Sequence, residues 1–102
     1  MDSQFLGKYV IARTHNAGVF AIYAGYLDSK NGSEIVLRQA RRIWRFSGAV
    51  SIYQLAQSGT SNPQECKFHE EVDLVLLTET IEILLVSEQA KQSINEVPIW
   101  KD

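Results

Sequence analysis

The fold is decided by residues 7–46, which read GKYVIARTHNAGVFAIYAGYLDSKNGSEIVLRQARRIWRF. Residues 7–13 predict a first strand, because their apolar side chains alternate between two faces. Residues 19–26 are rich in aromatic and apolar residues and predict a second strand. Residues 15–18, His-Asn-Ala-Gly, form a turn signal between them, so we expect a hairpin. On the first strand, one face carries Tyr9 and Ile11, and the other carries Val10 and Ala12.

A second turn signal, Asn31-Gly32, precedes a third strand. This strand extends from about Glu34 to Phe46, which is long, and its alternation is imperfect near Gln39–Arg42. One extra residue in a strand shifts the alternation in this way, so we expect a β-bulge at that point.

Two short helices are predicted after the third strand. Ser51 is a typical N-cap residue for the helix SIYQLAQS, and Gly59 ends it. Ser87 can cap a second helix, EQAKQSINEV, and Pro98 marks its end. The spacing of the first helix predicts that one stripe is buried, formed by Ile52, Leu55 and Ala56, while Tyr53, Gln54 and Gln57 are more exposed.

Between the helices, residues 72–86 predict two further strands with a bend near Thr78 and Glu79. The run VDLVLL is almost entirely apolar, so we expect it to be buried on both faces. The residues expected to face the core in the second of these strands are Ile81, Ile83 and Leu85.

These elements predict an α+β fold, with a small antiparallel β-sheet or a partly open barrel and two short helices. A length of 102 residues fits one domain, so residues 1–102 are expected to form a single globular unit. Residues 1–6 are expected to be a loose N-terminus, and Trp100 is expected to pack a short tail against the domain.

Composition and charge exclude several classes of protein. The net charge of −2 argues against a general binder of duplex DNA or of membrane surfaces, which needs a basic excess. No signal peptide is visible and no apolar run has the length of a bilayer span, so we expect no membrane association. Cys66 is the single cysteine and cannot form an internal disulfide, which favours a reducing cytoplasm.

Residues with catalytic chemistry are few and scattered. Cys66 and His69 are close enough in sequence to form a thiolate–imidazole pair, but no third partner is evident, and a loop cysteine is the preferred interpretation. His69, Glu70 and Glu71 could supply metal ligands, but no further ligand cluster is in view, and a solvated polar stretch before a strand is the preferred interpretation. The sequence has no phosphate-binding glycine-rich loop. We therefore predict a binding protein and not an enzyme, with no cofactor and no metal.

The segment ARRIWRFSGA, residues 40–49, carries the strongest functional signal. It places three arginines, Arg41, Arg42 and Arg45, around Trp44. Guanidinium groups bind phosphate or carboxylate, and an exposed aromatic ring can stack on a nucleobase. In the alternative interpretation Trp44 and Phe46 lie in the core. The arginines would then pair with carboxylates of Glu34, Glu79 or Glu82.

The chain also resembles a family of small phage and prophage proteins grouped as a domain of unknown function. The residues that carry the resemblance are ARTHNAGVF, ARRIWRFSGAVSIYQLAQSG, NPQECKF, LTETIEI and SINEVPIW. The resemblance extends from about Lys8 to Trp100. Arg45 and Phe46 stand where the family pattern has Tyr and Trp or similar residues, and Ser47 stands where it has an acid. The resemblance implies a phage or prophage source and a segment that is more basic here than in its relatives.

Some phage accessory proteins sequester cyclic nucleotide signals of host immunity, and by analogy this chain is expected to bind such a ligand or another small anion. Arg41, Arg42 and Arg45 would bind its phosphates, and Trp44 or Tyr53 would stack on it. Asn16 and Gln54 would add specificity. A homo-oligomer in the host cytoplasm is expected, because so short a chain has little room to enclose a ligand alone. The alternative is a protein–protein adaptor or inhibitor that uses the same residues as an interface.

Overall fold

The computed structural model describes residues 4–101, and within them the chain forms one antiparallel sheet and two helices, which confirms the predicted α+β fold. The strands are β1 Tyr9–Asn16, β2 Val19–Asn31, β3 Glu34–Arg45, β4 Lys67–Phe68, β5 Val72–Leu77 and β6 Thr80–Leu85. The helices are α1 Ile52–Ser58 and α2 Glu88–Glu96. The strand order is β4-β3-β2-β1-β6, and β5 pairs with β3 beside β4.

The predicted hairpin between β1 and β2 is present, and the predicted tight turn near Asn31 and Gly32 connects β2 to β3 in a second hairpin. Ala17 and Gly18 have φ angles of 53° and 80°, so two left-handed residues connect β1 to β2. Gly32 has a φ of 64° and lies in the two-residue turn between the paired residues Asn31 and Glu34. Because each turn uses two residues, β1 and β2 extend further than the sequence pattern indicates.

The predicted bulge lies in β3. Ala24 pairs with Arg41 and Tyr26 pairs with Arg38, so Gly25 on β2 faces two residues of β3. Gln39 is one of these two and has a φ of 51°. The close approach requires glycine on β2, because a Cβ on Gly25 would lie 2.9 Å from the carbonyl oxygen of Arg38.

The sheet is strongly curled because its two edges are joined by a very short link. β5 pairs with β3 and β6 pairs with β1, yet only Thr78 and Glu79 separate β5 from β6. The Cα atoms of Leu77 and Thr80 can be at most about 11 Å apart along the chain. A flat sheet with three strands between them would hold β5 and β6 about 19 Å apart. The edges therefore approach each other at this end, and the inner face of the sheet is concave.

The apolar core has one cluster on each face of the sheet. Both helices cover the outer face, where the helix-side core contains Tyr9, Ile11, Ala24, Ile43, Leu55, Ala56, Cys66, Phe68, Ile94 and Val97. The concave face holds the inner core, which contains Val10, Ala12, Leu27, Ile35, Leu37, Ala40 and Leu77. The predicted division of β1 into two faces is therefore confirmed, because alternate residues of that strand belong to different clusters.

Serine residues begin both helices, as predicted. The Ser51 hydroxyl accepts a hydrogen bond from the Gln54 N–H, and Gly59 ends α1 with a φ of 79°. The Ser87 hydroxyl accepts from the Ala90 N–H and donates to the Gln57 carbonyl, which connects α2 to the end of α1. The predicted apolar stripe of α1 is buried.

The tail after α2 packs on the sheet, as predicted. The Trp100 N–H donates to the Phe68 carbonyl at 2.9 Å, and Ile99 forms a parallel bridge with Phe68. At the other end of the chain, residues 1–3 of the predicted loose segment lie outside the described residues. Phe5 packs against the inner core, because the Gly7 N–H donates to the Leu27 carbonyl and holds this segment on the sheet.

The predicted burial of β5 and β6 is right for one part of their side chains, including Leu77 and Ile83, and wrong for the rest. On β5, Leu74 and Leu76 are 56% and 59% exposed, because this edge strand pairs only with β3 and no helix covers its outer face. On β6, Ile83 packs against the inner core, whereas Ile81 and Leu85 are exposed. β6 is the opposite edge and pairs only with β1, so its side chains have neighbours on one side only.

No helix in residues 4–101 is both long and apolar enough to cross a membrane.

Candidate ligand-binding site

The two adjacent arginines of β3 point to opposite faces of the sheet. Ile43 belongs to the helix-side core, so Arg41, two residues earlier, faces the helices as well. Arg42 and Trp44 have the other parity and face the concave side. The prediction that Arg41, Arg42 and Arg45 would surround one ligand therefore conflicts with the alternation of the strand.

Arg41 is a structural residue. It is 4% exposed, and all five of its N–H donors are directed at backbone carbonyls. Its Nε donates to the His69 carbonyl at 2.8 Å, and Nη1 donates to Ile94 and Val97 at 3.0 and 2.9 Å. Its Nη2 donates to the carbonyls of Phe68 and Pro98, each at 3.4 Å. These oxygens saturate the guanidinium, so Arg41 has no donor left for a phosphate.

Burial also lowers the pKa of Arg41 below its ordinary value, and the nearby Tyr9 and Glu71 oppose this shift. The carbonyls that accept from Nη1 belong to the last turn of α2 and to its C-cap. A cation at this position compensates the partial negative charge at the end of the helix.

Arg42 has a different environment. Its guanidinium carbon lies 5.3 Å from the centre of the Trp44 ring and 5.9 Å from the centre of the Tyr23 ring. Within residues 4–101 the side chain forms no hydrogen bond and no ion pair, and its Nε is buried without a partner. The aromatic rings stabilise the cation by cation–π attraction, but its N–H groups remain unpaired.

His69 lies beside Arg42 because the segment after β4 continues along β3. The His69 N–H donates to the Arg42 carbonyl at 2.9 Å. The His69 ring makes edge-to-face contacts with Trp44 and Trp100, with centroids 6.5 and 5.6 Å apart. Its Nε2 is buried and has no hydrogen-bond partner.

These residues open on a cavity of about 420 Å³ at the mouth of the concave face, which we call the arginine cleft. Its volume lies in the range of small-molecule sites, about 300–1,000 Å³. The residues that line it are Tyr23, Ala40, Arg42, His69, Glu70, Val72 and Val75. The cleft thus combines an apolar floor, one unpaired cation, an imidazole and one carboxylate at the rim.

The sequence matches the model of one known protein family. The family model for a domain of unknown function, DUF6948, matches residues 7–94. The chain belongs to the DUF6948 family. This membership confirms the resemblance to a domain of unknown function, whereas the phage or prophage source stays a prediction. Searches of curated proteins and of solved structures found no match.

The exposure of Trp44 decides between the two interpretations of its segment. Trp44 is 56% exposed, so it is not a core residue, although Phe46 is partly buried against the helix-side core. The proposed acidic partners do not pair with the arginines of this segment: Glu82 binds Arg13 at 3.0 Å. In the described part of the chain, Glu34 and Glu79 form no ion pair with any arginine.

The other predicted ligand-binding residues do not line the arginine cleft. Arg45 is exposed beyond a register shift in β3, where it pairs with Lys67 of β4, and it does not line the cleft. The Tyr53 hydroxyl donates to Glu82, and Gln54 Oε1 accepts from the Val50 N–H at 2.6 Å. Asn16 is exposed at the β1–β2 turn. Of the predicted residues, Arg42 lines the cleft, and Trp44 lies beside it, near Arg42 and His69.

The possible catalytic groups are also separated. Cys66 is buried in the helix-side core, where its Sγ is 3.5 Å from the Ser47 carbonyl oxygen. His69 contacts Trp44 and Trp100 instead, so the structure forms no thiolate–imidazole pair. Among residues 4–101, no three His, Cys, Asp or Glu side chains are grouped to hold a metal.

Tyr23 and His69 line the arginine cleft, but the sequence did not associate either of them with Arg42. Tyr23 could have been found from the turn between β2 and β3. Asn31 pairs with Glu34 beside this turn, and the residues eight positions further from the turn on the two strands, Tyr23 and Arg42, also pair. The bulge in β3 and a second one at Asp28 in β2 cancel in this count. His69 could not have been found in this way, because no hairpin connects β4 to β3.

Proposed function

We propose that this protein binds a small anionic ligand in the arginine cleft and releases it chemically unchanged. The observation that carries the proposal is the state of Arg42. This cation has no acidic partner within residues 4–101, and its Nε is buried and unpaired beside the equally unpaired Nε2 of His69. Buried polar groups without partners are rare and costly, and an anion in the cleft would satisfy both.

The stacking of Arg42 favours an anion with several oxygens. The Tyr23 and Trp44 rings lie within 5.9 Å of the Arg42 guanidinium carbon, and the N–H groups of the guanidinium form no hydrogen bond within residues 4–101. The planar edge of a guanidinium matches two oxygens of a phosphate or carboxylate in a bidentate arrangement. His69 can add a further donor to the same group.

A nucleotide is the preferred anion, because the exposed Trp44 ring offers a surface on which a base can stack. A cyclic nucleotide signal of host immunity is the most specific version of the proposal. It depends on a phage or prophage source and a cytoplasmic location, both of which remain predictions. Sequestration is favoured over turnover because the cleft contains no paired nucleophile and base among the described residues.

A panel of linear and cyclic nucleotides tests the proposal by thermal shift and calorimetry. We expect at least one of them to raise the melting temperature of the wild-type protein. Arg42→Gln should weaken its binding at least tenfold, and Trp44→Ala should weaken nucleotides more than inorganic phosphate.

Arg45→Gln is the matched control, because it removes the same charge from an exposed residue of the same strand that does not line the cleft. If no nucleotide or phosphate stabilises the protein, the proposal is wrong. An equal loss of binding in Arg42→Gln and Arg45→Gln would show general electrostatic attraction instead of a site. Ligand that is recovered altered after denaturation of the protein would show an enzyme.

A protein–protein adaptor is the second candidate, and the exposed edge strand favours it. Leu74 and Leu76 project from β5, whose outer edge has no partner strand within residues 4–101. Such an edge can pair with a strand of another chain. Capture of one host protein in constant proportion, lost in Leu76→Lys but retained in Arg42→Gln, would support the adaptor. Loss in Arg42→Gln instead would place the interface at the arginine cleft.

A further inference from the structure

A second cavity, of about 310 Å³, lies on the helix side of the sheet beside the C-terminal end of α2. It is lined by Tyr9, Tyr26, Gln39, Glu71 and Asn95. It shares no lining residue with the arginine cleft, because the residues of β1 and β2 that line it face the helices. We call it the tyrosine pocket.

The Tyr9 hydroxyl is an unsatisfied group in this pocket. Tyr9 is 6% exposed, and its hydroxyl oxygen is buried without a hydrogen-bond partner. Burial raises the pKa of Tyr9 to about 12, so the phenol is neutral and can donate at physiological pH. Its ring is held edge-to-face against Tyr26, with centroids 5.0 Å apart.

Three other polar side chains of the pocket are also unpaired. Gln39, Glu71 and Asn95 form no side-chain hydrogen bond or ion pair within residues 4–101. The bulge of β3 places Gln39 at this position, and Glu71 follows the two residues that reach into the arginine cleft. The pocket therefore presents a phenol, two amides and a carboxylate, all available to one ligand.

The charges around the pocket favour a neutral ligand. Glu71 brings one negative charge, and Arg41 brings one positive charge that acts to lower the pKa of Tyr9. The Lys91 ammonium lies 5.5 Å from the centre of the Tyr26 ring. Lys91 is paired with Glu88 at 3.5 Å, so Arg41 and Glu71 offset each other and the surroundings of the pocket carry no excess charge, which favours a neutral ligand.

We propose that the tyrosine pocket binds a neutral planar group with two adjacent N–H donors and a neighbouring carbonyl oxygen, the pattern of a guanine base. The Glu71 carboxylate accepts from both N–H groups, as carboxylates do with other planar pairs of donors. The Tyr9 hydroxyl or an amide donates to the carbonyl oxygen, and the Tyr26 ring contacts the base. The inference does not require the arginine cleft to bind an anion.

Nucleosides test the pocket without involving phosphate. Guanosine is titrated into ¹⁵N-labelled protein, and the backbone amide resonances of residues 9, 26, 39, 71 and 95 are followed by NMR. We expect guanosine to shift these resonances. Inosine, which lacks the exocyclic amine, should bind at least fivefold more weakly, and adenosine should not shift them.

Tyr9→Phe removes only the unpaired hydroxyl, so we expect an unchanged or higher melting temperature and at least tenfold weaker guanosine binding. Glu71→Gln is a second variant at an exposed position, and it should weaken guanosine by a similar factor. Arg42→Gln should leave guanosine binding intact, which separates this pocket from the arginine cleft. The proposal is wrong if guanosine shifts none of these resonances, if both pocket variants bind it normally, or if Arg42→Gln abolishes binding.

Discussion

At the scale of single residues, the two neighbouring arginines of β3 have opposite roles. Arg41 donates to carbonyls from the segment after β4, from α2 and from the tail, and it holds these three segments together. The Arg42 guanidinium lies near the Tyr23 and Trp44 rings, and its side chain has no hydrogen bond within residues 4–101. The first is therefore a determinant of stability, and the second is a candidate for binding.

Arg41→Met should lower the free energy of unfolding by roughly 3 kcal/mol, because five carbonyls lose their donor while remaining buried. Urea unfolding measures this loss. Arg45→Met removes an exposed arginine of the same strand and should change stability by less than about 0.5 kcal/mol. Equal effects of the two substitutions would contradict the structural role of Arg41.

The buried phenol of Tyr9 predicts a loss of stability in alkaline solution. Its pKa is about 12 in the folded protein against the ordinary value of 10.0, so unfolding releases a proton between these values. The free energy of unfolding should therefore fall as pH rises from about 10 to 12, by roughly 2–3 kcal/mol in total. Tyr9→Phe should remove this part of the pH dependence. Identical alkaline profiles for both proteins would show that the phenol is not protected.

At the scale of elements, the bulge between β2 and β3 positions both candidate sites. It lets Arg42 face the concave side at one end of β3 and places Gln39 in the tyrosine pocket. The bulge depends on Gly25, where an added Cβ would meet the backbone of Arg38 and Ala40 at 2.9 and 3.1 Å.

Gly25→Ala should destabilise the protein by roughly 1–3 kcal/mol, because two backbone groups that cannot rotate away would have to move. Chemical denaturation measures the change. Ser29→Ala is the control on an exposed position of the same strand and should have little effect. If Gly25→Ala is as stable as the wild type, the two strands do not approach as closely as described.

The elements also show which features a sequence can predict. Turns, helix caps and the bulge depend on neighbouring residues, so Gly18, Gly32, Ser51 and Ser87 identify them correctly. The burial of several residues of β5 and β6 was predicted wrongly, because an apolar run does not reveal whether its strand lies in the middle or at the edge of a sheet. These residues include Leu74, Leu76, Ile81 and Leu85.

The candidate site was also predicted only in part. The residue pattern singled out Arg42 and Trp44, but it did not distinguish Arg42 from Arg41. The acceptors that bury Arg41 are carbonyls more than 25 residues away in sequence, as the bond to His69 shows. Asn16, Tyr53 and Gln54 were chosen for their side-chain chemistry alone, and the fold places them elsewhere.

At the scale of the whole molecule, the two ends of the strand order remain open. On β5 the edge is apolar: Leu74 and Leu76 are exposed, and Asp73 is the one charged residue of the strand. Charged side chains usually protect an edge strand from pairing with other chains. We expect the protein to associate with a second copy of itself through this edge.

Sedimentation velocity over a wide range of concentration tests this expectation. Leu76→Lys should reduce association without lowering the melting temperature, because the side chain is exposed in the single chain. Val19→Lys, which adds the same charge at the exposed β1–β2 turn, should not reduce it. A protein that stays monomeric at all concentrations would contradict the predicted homo-oligomer.

The short link at Thr78 and Glu79 has a consequence for synthesis on the ribosome. When the chain has emerged only as far as β5, the first three strands can assemble, but β1 still lacks its outer neighbour. Its unpaired backbone groups and the apolar inner face stay accessible to water and chaperones during that interval. The sheet can be completed only after residues 80–85 have emerged. The short link to β5 then holds these residues close to β1, so they can pair with it quickly.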